Sequence, residues 1–151
     1  MFQLPKKVLF AIEAVLDIAY HTGAEPVQSK EITRRQGIPR RYLEQALQQL
    51  VRHGILVGVR GPRGGYRLAR ERRSITIGII VRVVQGVGNG ASRPDDMEGS
   101  ELGIKVVRPL WTEIQDMIMA RLEELSIEDL CGQAGKAGIV SEGRKALAFT
   151  I

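Results

Sequence analysis

The sequence predicts a mainly α-helical fold with one small β-hairpin, an α+β class, and three observations predict it. Apolar residues recur at helical spacing over 4–20, 39–53 and 104–125. One short β-branched run, Ile55 to Arg60, meets a Gly/Pro loop and then Tyr66-Arg67-Leu68, which reads as the two strands of a hairpin. The chain has 151 residues, 44% hydrophobic and 26% charged, the make-up of one ordinary globular domain or of a small domain with an appended element.

The elements follow in order. Residues 4–20 place Leu4, Val8, Ile12, Val15, Leu16 and Ala19 near a 3.6 period, with Pro5 tolerated in the first turn. Thr22-Gly23-Ala24-Glu25-Pro26 breaks the pattern. Ser29 reads as the N-cap of a short helix, Lys30 to Gln36, which Gly37 ends. Pro39 suits the first turn of the next helix, whose stripe is Leu43, Ala46, Leu47, Leu50 and Val51, and Gly54 stops it. The hairpin comes next. Residues 75–85 are open between strand, by their β-branched composition, and helix, by the spacing of Ile77, Ile80 and Val84. Residues 86–103 are Gly-rich and polar and read as a loop or disordered linker. The longest helix, 104–125, repeats Val107, Trp111, Ile114, Ile118, Leu122 and Leu125, with Leu110 and Met117 widening the stripe. Ser126 caps a short last helix, Ile127 to Cys131, and a Gly/Ala-rich tail follows.

Several function classes drop out. A single cysteine forms no internal disulfide and no multi-cysteine metal site. No apolar run approaches 18 residues and the N-terminus has no secretory pattern, so the expected compartment is the cytoplasm and no membrane partner is expected. There is no GxxxxGK[ST], no HExxH and no paired-histidine spacing, and the glycines at 61–65 join two strands; no enzyme and no catalytic residue is predicted. His21 and His53 read as helix-end residues, and Asp95, Asp96 and Glu98 as a solvated acidic cluster.

Charge distribution says more than net charge. Of the 22 Lys/Arg and 17 Asp/Glu, residues 1–75 hold 14 and 6, a net +8, which leaves 8 and 11, a net −3. A basic half beside an acidic one fits either a polyanion-binding half or a solvated charged surface. The order helix, short helix, turn, helix, hairpin is that of a winged helix-turn-helix. Its second helix has two faces, one apolar and one carrying Arg40, Arg41, Glu44, Gln45, Gln48, Gln49 and Arg52, with Tyr42 a further candidate for DNA contact. Arg and Gln have the donor geometry to pair with guanine and adenine edges, although a solvated helix face looks the same. The hairpin favours the DNA reading, because Arg60, Pro62, Arg63 and Gly64 make an arginine-bearing glycine loop suited to a narrow minor groove. Ser29, Lys30, Arg34 and Arg35 on the preceding helix are candidates for phosphate contact. Glu44 reads as an acceptor for a cytosine amine or as a residue that rejects wrong sites.

Tyr42-Leu43-Glu44-Gln45, then Leu50-x-x-x-Gly54, then Val59-Arg60-Gly61-Pro62-x-Gly64-Gly65-Tyr66-x-Leu68 resemble the IscR-like (Rrf-two) family of bacterial transcriptional regulators over residues 1 to about 131. The resemblance implies a homodimer on an inverted-repeat operator in double-stranded DNA, with Arg41, Glu44 and Gln45 at bases and Arg60 in the minor groove. It implies a dimer interface on the long helix, through Val107, Leu110, Trp111, Ile114, Met117, Ile118, Leu122 and Leu125; a helix packed in its own core is the other reading of that stripe. Many members hold an iron–sulfur cluster on three cysteines before the long helix. The matching positions here are Arg93, Gly99 and Lys105, with Arg108 where some members place a histidine. No cofactor and no metal are therefore expected, and a small-molecule or protein effector would do the sensing. Cys131 reads as an incidental or redox-sensing thiol at a helix C-terminus. The expected organisation is a winged domain at 1–75, a linker helix, loop and dimerisation helices at 76–131, and a flexible tail at 132–151. A protein-interaction module that keeps the winged domain for its fold is the alternative function.

Overall fold

A computed structural model describes residues 3–86 and 99–143. Six helices and one two-stranded antiparallel sheet make up the described chain: α1 Lys6–His21, α2 Ser29–Gln36, α3 Arg40–Arg52, β1 Leu56–Val59, β2 Gly65–Leu68, α4 Ile77–Gln85, α5 Arg108–Glu124 and α6 Ile127–Lys136. α1 is the hub. Its stripe Val8, Ala11, Val15, Ile18 and Ala19 is buried against α3, α4 and α6. α3 contributes Leu43, Ala46, Leu47 and Leu50 to the same core.

Ser29 does not cap α2. Gln28 does, its side chain meeting the backbone of Glu31 while its own N–H donates to Glu31 Oε2 at 2.8 Å, and Ser29 is the first helical residue. A glutamine there does the work that a serine usually does, because a carbonyl oxygen within reach is all the free N–H groups need. Gly37, at φ 67°, closes the helix in the left-handed conformation.

The hairpin pairs Leu56 with Leu68 through Val59 with Gly65. Val27 adds a bridge to its outer edge, exchanging hydrogen bonds of 3.0 and 2.7 Å with Tyr66. This approach explains two glycines. A Cβ on Gly65 would sit 2.4 Å from the Val27 carbonyl oxygen, and one on Gly64 would sit 2.2 Å from that of Val59. Both glycines let the chain approach itself, so their presence needs no DNA surface.

Residues 77–85 resolve to helix, with Thr76 accepting from the Ile79 N–H at 3.1 Å and Ile77, Ile80, Val81 and Val84 buried. Helical spacing prevailed over β-branched composition because one face packs on α1 and α3. The segment expected to be a loop at 86–103 falls mostly outside the described residues, including Arg93, Asp95, Asp96 and Glu98. Helix starts at Glu101, earlier than expected, and runs into α5 through a wide turn at Gly103–Val107. There the Arg108 N–H donates to the Gly103 carbonyl, five residues back. Pro109 offers Lys105 no N–H and its ring crowds that carbonyl, which favours a widened turn just before it.

α5 is fastened at its C-terminal end. Gly78 of α4 takes the backbone of Glu123, Arg82 pairs with Glu123, and the Ile77 and Ile127 N–H groups bond to the Leu125 and Ile75 carbonyls at 2.8 Å each. No residue of α5 is buried.

α6 begins with a capping box between Ser126 and Asp129 and continues to Lys136, five residues beyond the expected end at Cys131. Cys131 is therefore buried in mid-helix. Residues 137–143 return to α1: the Tyr20 hydroxyl donates to the Ile139 carbonyl, and Ser141 Oγ donates to the Tyr20 carbonyl at 2.6 Å. Residues 132–143, expected to be a flexible tail, are thus helix and packed chain, because α1 presents partners for them; residues 144–151 lie outside the described residues.

Candidate nucleic-acid interface

The starts of α2 and α3 and the hairpin enclose an open cleft of about 600 Å³, lined among others by Ser29, Lys30, Thr33, Arg40, Pro62 and Gly64. Its walls are tied together. Gln28 Nε2 donates to the Pro62 carbonyl at 3.5 Å, so the residue that caps α2 also holds the tip of the hairpin. Sequence reasoning passed over Gln28, although its position three residues before Glu31 was the available signal.

α3 turns Leu43, Ala46, Leu47 and Leu50 inward but leaves Val51, expected in the same stripe, exposed near its C-terminal end, along with Arg40, Arg41, Tyr42, Glu44, Gln45 and Gln48. Arg40 Nε donates to Glu44 Oε1 at 2.9 Å, one helical turn apart. That pair gives Glu44 a role in the free protein, which is to restrain Arg40, in addition to any base it meets. Tyr42 packs its ring 5.9 Å from that of Phe10, and the Arg41 guanidinium lies 5.7 Å from the Tyr42 ring centre. Tyr42 thereby steers Arg41. On the hairpin, Arg63 reaches Glu25 at 3.4 Å and Arg67 donates to the Ala24 carbonyl at 2.7 Å. Arg60 is exposed on the far side with no such partner among the described residues.

One expected phosphate contact is overturned. Arg35 does not face solvent: its side chain is 9% exposed and holds Asp17 with two bonds, Nε to Oδ2 at 2.9 Å and Nη2 to Oδ1 at 2.8 Å. Asp17 is fully enclosed and also accepts from Gln36 Nε2 at 2.7 Å. Helical geometry is the reason, since Arg35 follows Ile32 by three positions and shares its inward edge. Arg34 points outward, 62% exposed, and donates to Glu142 Oε2 at 3.0 Å, which Arg35 Nη1 also reaches at 2.7 Å. The signal for this network was in α1, where Asp17 interrupts an apolar face and so demands a partner.

His21 ends α1 beside this network, and its Nδ1 accepts the Glu142 N–H at 3.1 Å. Burial first, then the Arg35 charge, lowers its pKa below the ordinary 6.5; Asp17 and Glu142 pull the other way, and Arg34 adds to the lowering. A depressed histidine binds fewer protons folded than unfolded. Its contribution is intact above about pH 6.5 and is lost as pH falls through that value toward the folded pKa. Glu142 is also held below its usual range: burial alone would raise it, and the bonds from Arg34 and Arg35 outweigh burial. The signs agree. We expect the melting temperature to fall between pH 7 and pH 5 in wild type and to fall less in His21→Asn, whose amide oxygen accepts the same N–H at any pH. Parallel melting curves for the two proteins would refute the assignment.

The stripe on α5 lies on the surface. Val107, Leu110, Trp111, Ile114, Met117 and Ile118 are exposed, while Leu122 and Leu125 pack partly on the core near the anchored end. Over its first three turns none of these side chains belongs to the core formed by the described residues.

Residues 4–133 match the Rrf2 family model, described as an iron-dependent transcriptional regulator. The chain belongs to the Rrf2 family. It is 35% identical over 129 residues to the HTH-type transcriptional regulator IscR of Sodalis glossinidius and 33% identical to that of Pectobacterium carotovorum, each alignment covering 85% of this chain and 78% of the relative. Among solved structures it resembles IscR of T. potens, with a TM-score of 0.74 and 31% identity over 93% of both chains. It also resembles CymR, the global cysteine regulator of B. subtilis, with a TM-score of 0.70 and 28% identity over 88% of this chain and 98% of that one. Rrf2 membership makes the chain a DNA-binding transcriptional regulator and not an enzyme. No helix among the described residues is long and apolar enough to cross a membrane.

The family description raises the question of iron, and the donor set does not fit a cluster. Lys105 pairs with Glu101 at 3.2 Å, and Gly99 lies against the Arg108 guanidinium. The chain's one thiol, Cys131, is buried in α6. A cluster needs several thiolates at one place, and cationic side chains do not supply them.

Proposed function

We propose that this Rrf2 regulator works in the cytoplasm as a homodimer on an inverted-repeat operator, without an iron–sulfur cluster and under the control of a small-molecule or protein effector. The observation that carries the dimer is the uncovered apolar ridge of α5, from Val107 to Ile118, on a helix with no buried residue. Six exposed large apolar side chains on one helix face are what a symmetric helix pair would bury. Each winged domain then meets one half-site. Arg41, Glu44, Gln45 and Gln48 face base edges in the major groove, Arg60 enters the minor groove beside Arg63, and Ser29, Lys30 and Arg34 meet phosphates.

Arg60 offers the cleanest test, because no hydrogen bond or ion pair holds its side chain among the described residues. Arg60→Ala should weaken operator binding by about 1–3 kcal/mol per half-site while leaving the melting temperature unchanged. Wild-type affinity should also fall steeply with salt, as several phosphate contacts release counterions. Equal binding by wild type and Arg60→Ala across a genomic library of bound fragments would sink the placement of the wing.

A further inference from the structure

Lys30 and Arg34 lie one turn apart on the outward ridge of α2. Lys30 lines the cleft beside the hairpin, and Arg34 extends the same ridge toward the end of α1, where the chain's last described residues sit. Those residues are held there by contacts made far along the sequence. Ser141 Oγ bonds to the Tyr20 carbonyl, the Glu142 N–H bonds to His21 Nδ1, and the Glu142 carboxylate reaches both Arg34 and Arg35. Gly143 closes on Thr22 so tightly that a Cβ would lie 2.1 Å from its carbonyl oxygen. Arg35 is already satisfied by two bonds to Asp17, so the fold does not need Glu142 for that charge. On Arg34 the situation differs. Among the described residues its partner is the Glu142 carboxylate, an anionic oxygen acceptor of the kind a DNA phosphate would also present.

We propose that residues 139–143 form an intramolecular clasp in which the Glu142 carboxylate occupies the place of a backbone phosphate on Arg34, so that DNA must displace it to gain that contact. The clasp weakens binding to any duplex by one phosphate contact. The loss is the same for operator and random DNA, so Glu142 sets how tightly the protein holds any duplex and leaves the ratio between sites unchanged. Whatever loosens the segment from α1 strengthens DNA binding.

The inference rests on the reading of α2 as a phosphate-facing helix, and a two-by-two comparison tests it. Binding to a random duplex is measured as a function of salt for wild type, Glu142→Gln, Arg34→Ala and the double variant. Glu142→Gln should bind roughly three- to tenfold tighter than wild type near 0.1 M salt, with the slope of log K against log salt steeper by about 0.9. In the Arg34→Ala background the same substitution should change neither quantity. A gain of equal size in both backgrounds would show that the carboxylate acts through overall charge alone, and would overturn the clasp. So would an unchanged or weakened Glu142→Gln. Ser141→Ala, which keeps every charge and removes the hydroxyl bonded to Tyr20, should shift affinity in the same direction by a smaller factor. It decides the matter if Glu142→Gln fails to fold. If Arg60→Ala weakens operator binding while these variants match wild type, the clasp falls and the DNA reading stands.

Discussion

Arg35→Ala is expected to destabilise the protein by about 3–5 kcal/mol, the largest effect of any single charged residue described. The substitution leaves Asp17, which has no exposed side-chain surface, with one neutral partner, Gln36. A carboxylate taken out of water without its cation must be hydrated by distortion or must take up a proton. Asp17→Ala should cost less, because Arg35 keeps Glu142 and lies closer to solvent. The double variant should cost less than the two singles summed, and chemical denaturation of the four proteins measures the coupling. A loss below about 1 kcal/mol for Arg35→Ala would put this pair in the class of exposed ion pairs and refute its structural role.

If the proposed dimer forms through α5, Ile114→Glu is expected to turn it into a monomer and to lower operator affinity by roughly 10²–10⁴-fold, the gain in effective concentration that joining two half-site modules provides. Ile114 stands between Leu110 and Trp111 on one side and Met117 and Ile118 on the other, in the middle of the exposed ridge. In a two-fold pair a residue near the axis meets its own copy, so one substitution places two carboxylates together in an apolar contact. The monomer should still fold, because the core cluster is built from α1, α2, α3, α4, α6 and the hairpin and does not contain Ile114. Light scattering gives the mass and circular dichroism the helix content. A variant that remains dimeric, or a wild type that is monomeric at micromolar concentration, would remove α5 as the interface.

How far the sequence could be read is clearest in particular residues. The helices α1 and α3 with most of their inward faces, the hairpin with its glycines, and the Ser126 cap were legible because each is a local matter, whereas buried Ala11, Ala14 and Ile18 of α1 lay outside the expected stripe and Val51 of α3 is exposed. Periodicity places side chains on a face, and caps and turns satisfy their own backbone. The helix at 77–85 was ambiguous for the same reason: its local preference pointed both ways, and packing on α1 settled it. Arg35 was misread because three basic residues on a short helix look alike until the neighbouring helix claims one of them. Gly64 was legible as a turn residue, while the atoms it makes room for, the Val59 carbonyl among them, appear only when the strands are paired.

By itself the sequence determined the basic half, the winged helix-turn-helix order, the family, and the want of cysteines for a cluster. All of these follow from residue types and short spacings. Tertiary structure alone decided which arginines are free. Arg60 stands open, Arg40 and Arg63 are held by Glu44 and Glu25, Arg34 is covered by Glu142, and Arg35 is consumed by Asp17. The last two partnerships join residues 108 and 18 positions apart. A charge is neutralised by whatever opposite charge the packing brings within a few ångströms, and chain separation does not enter that energy.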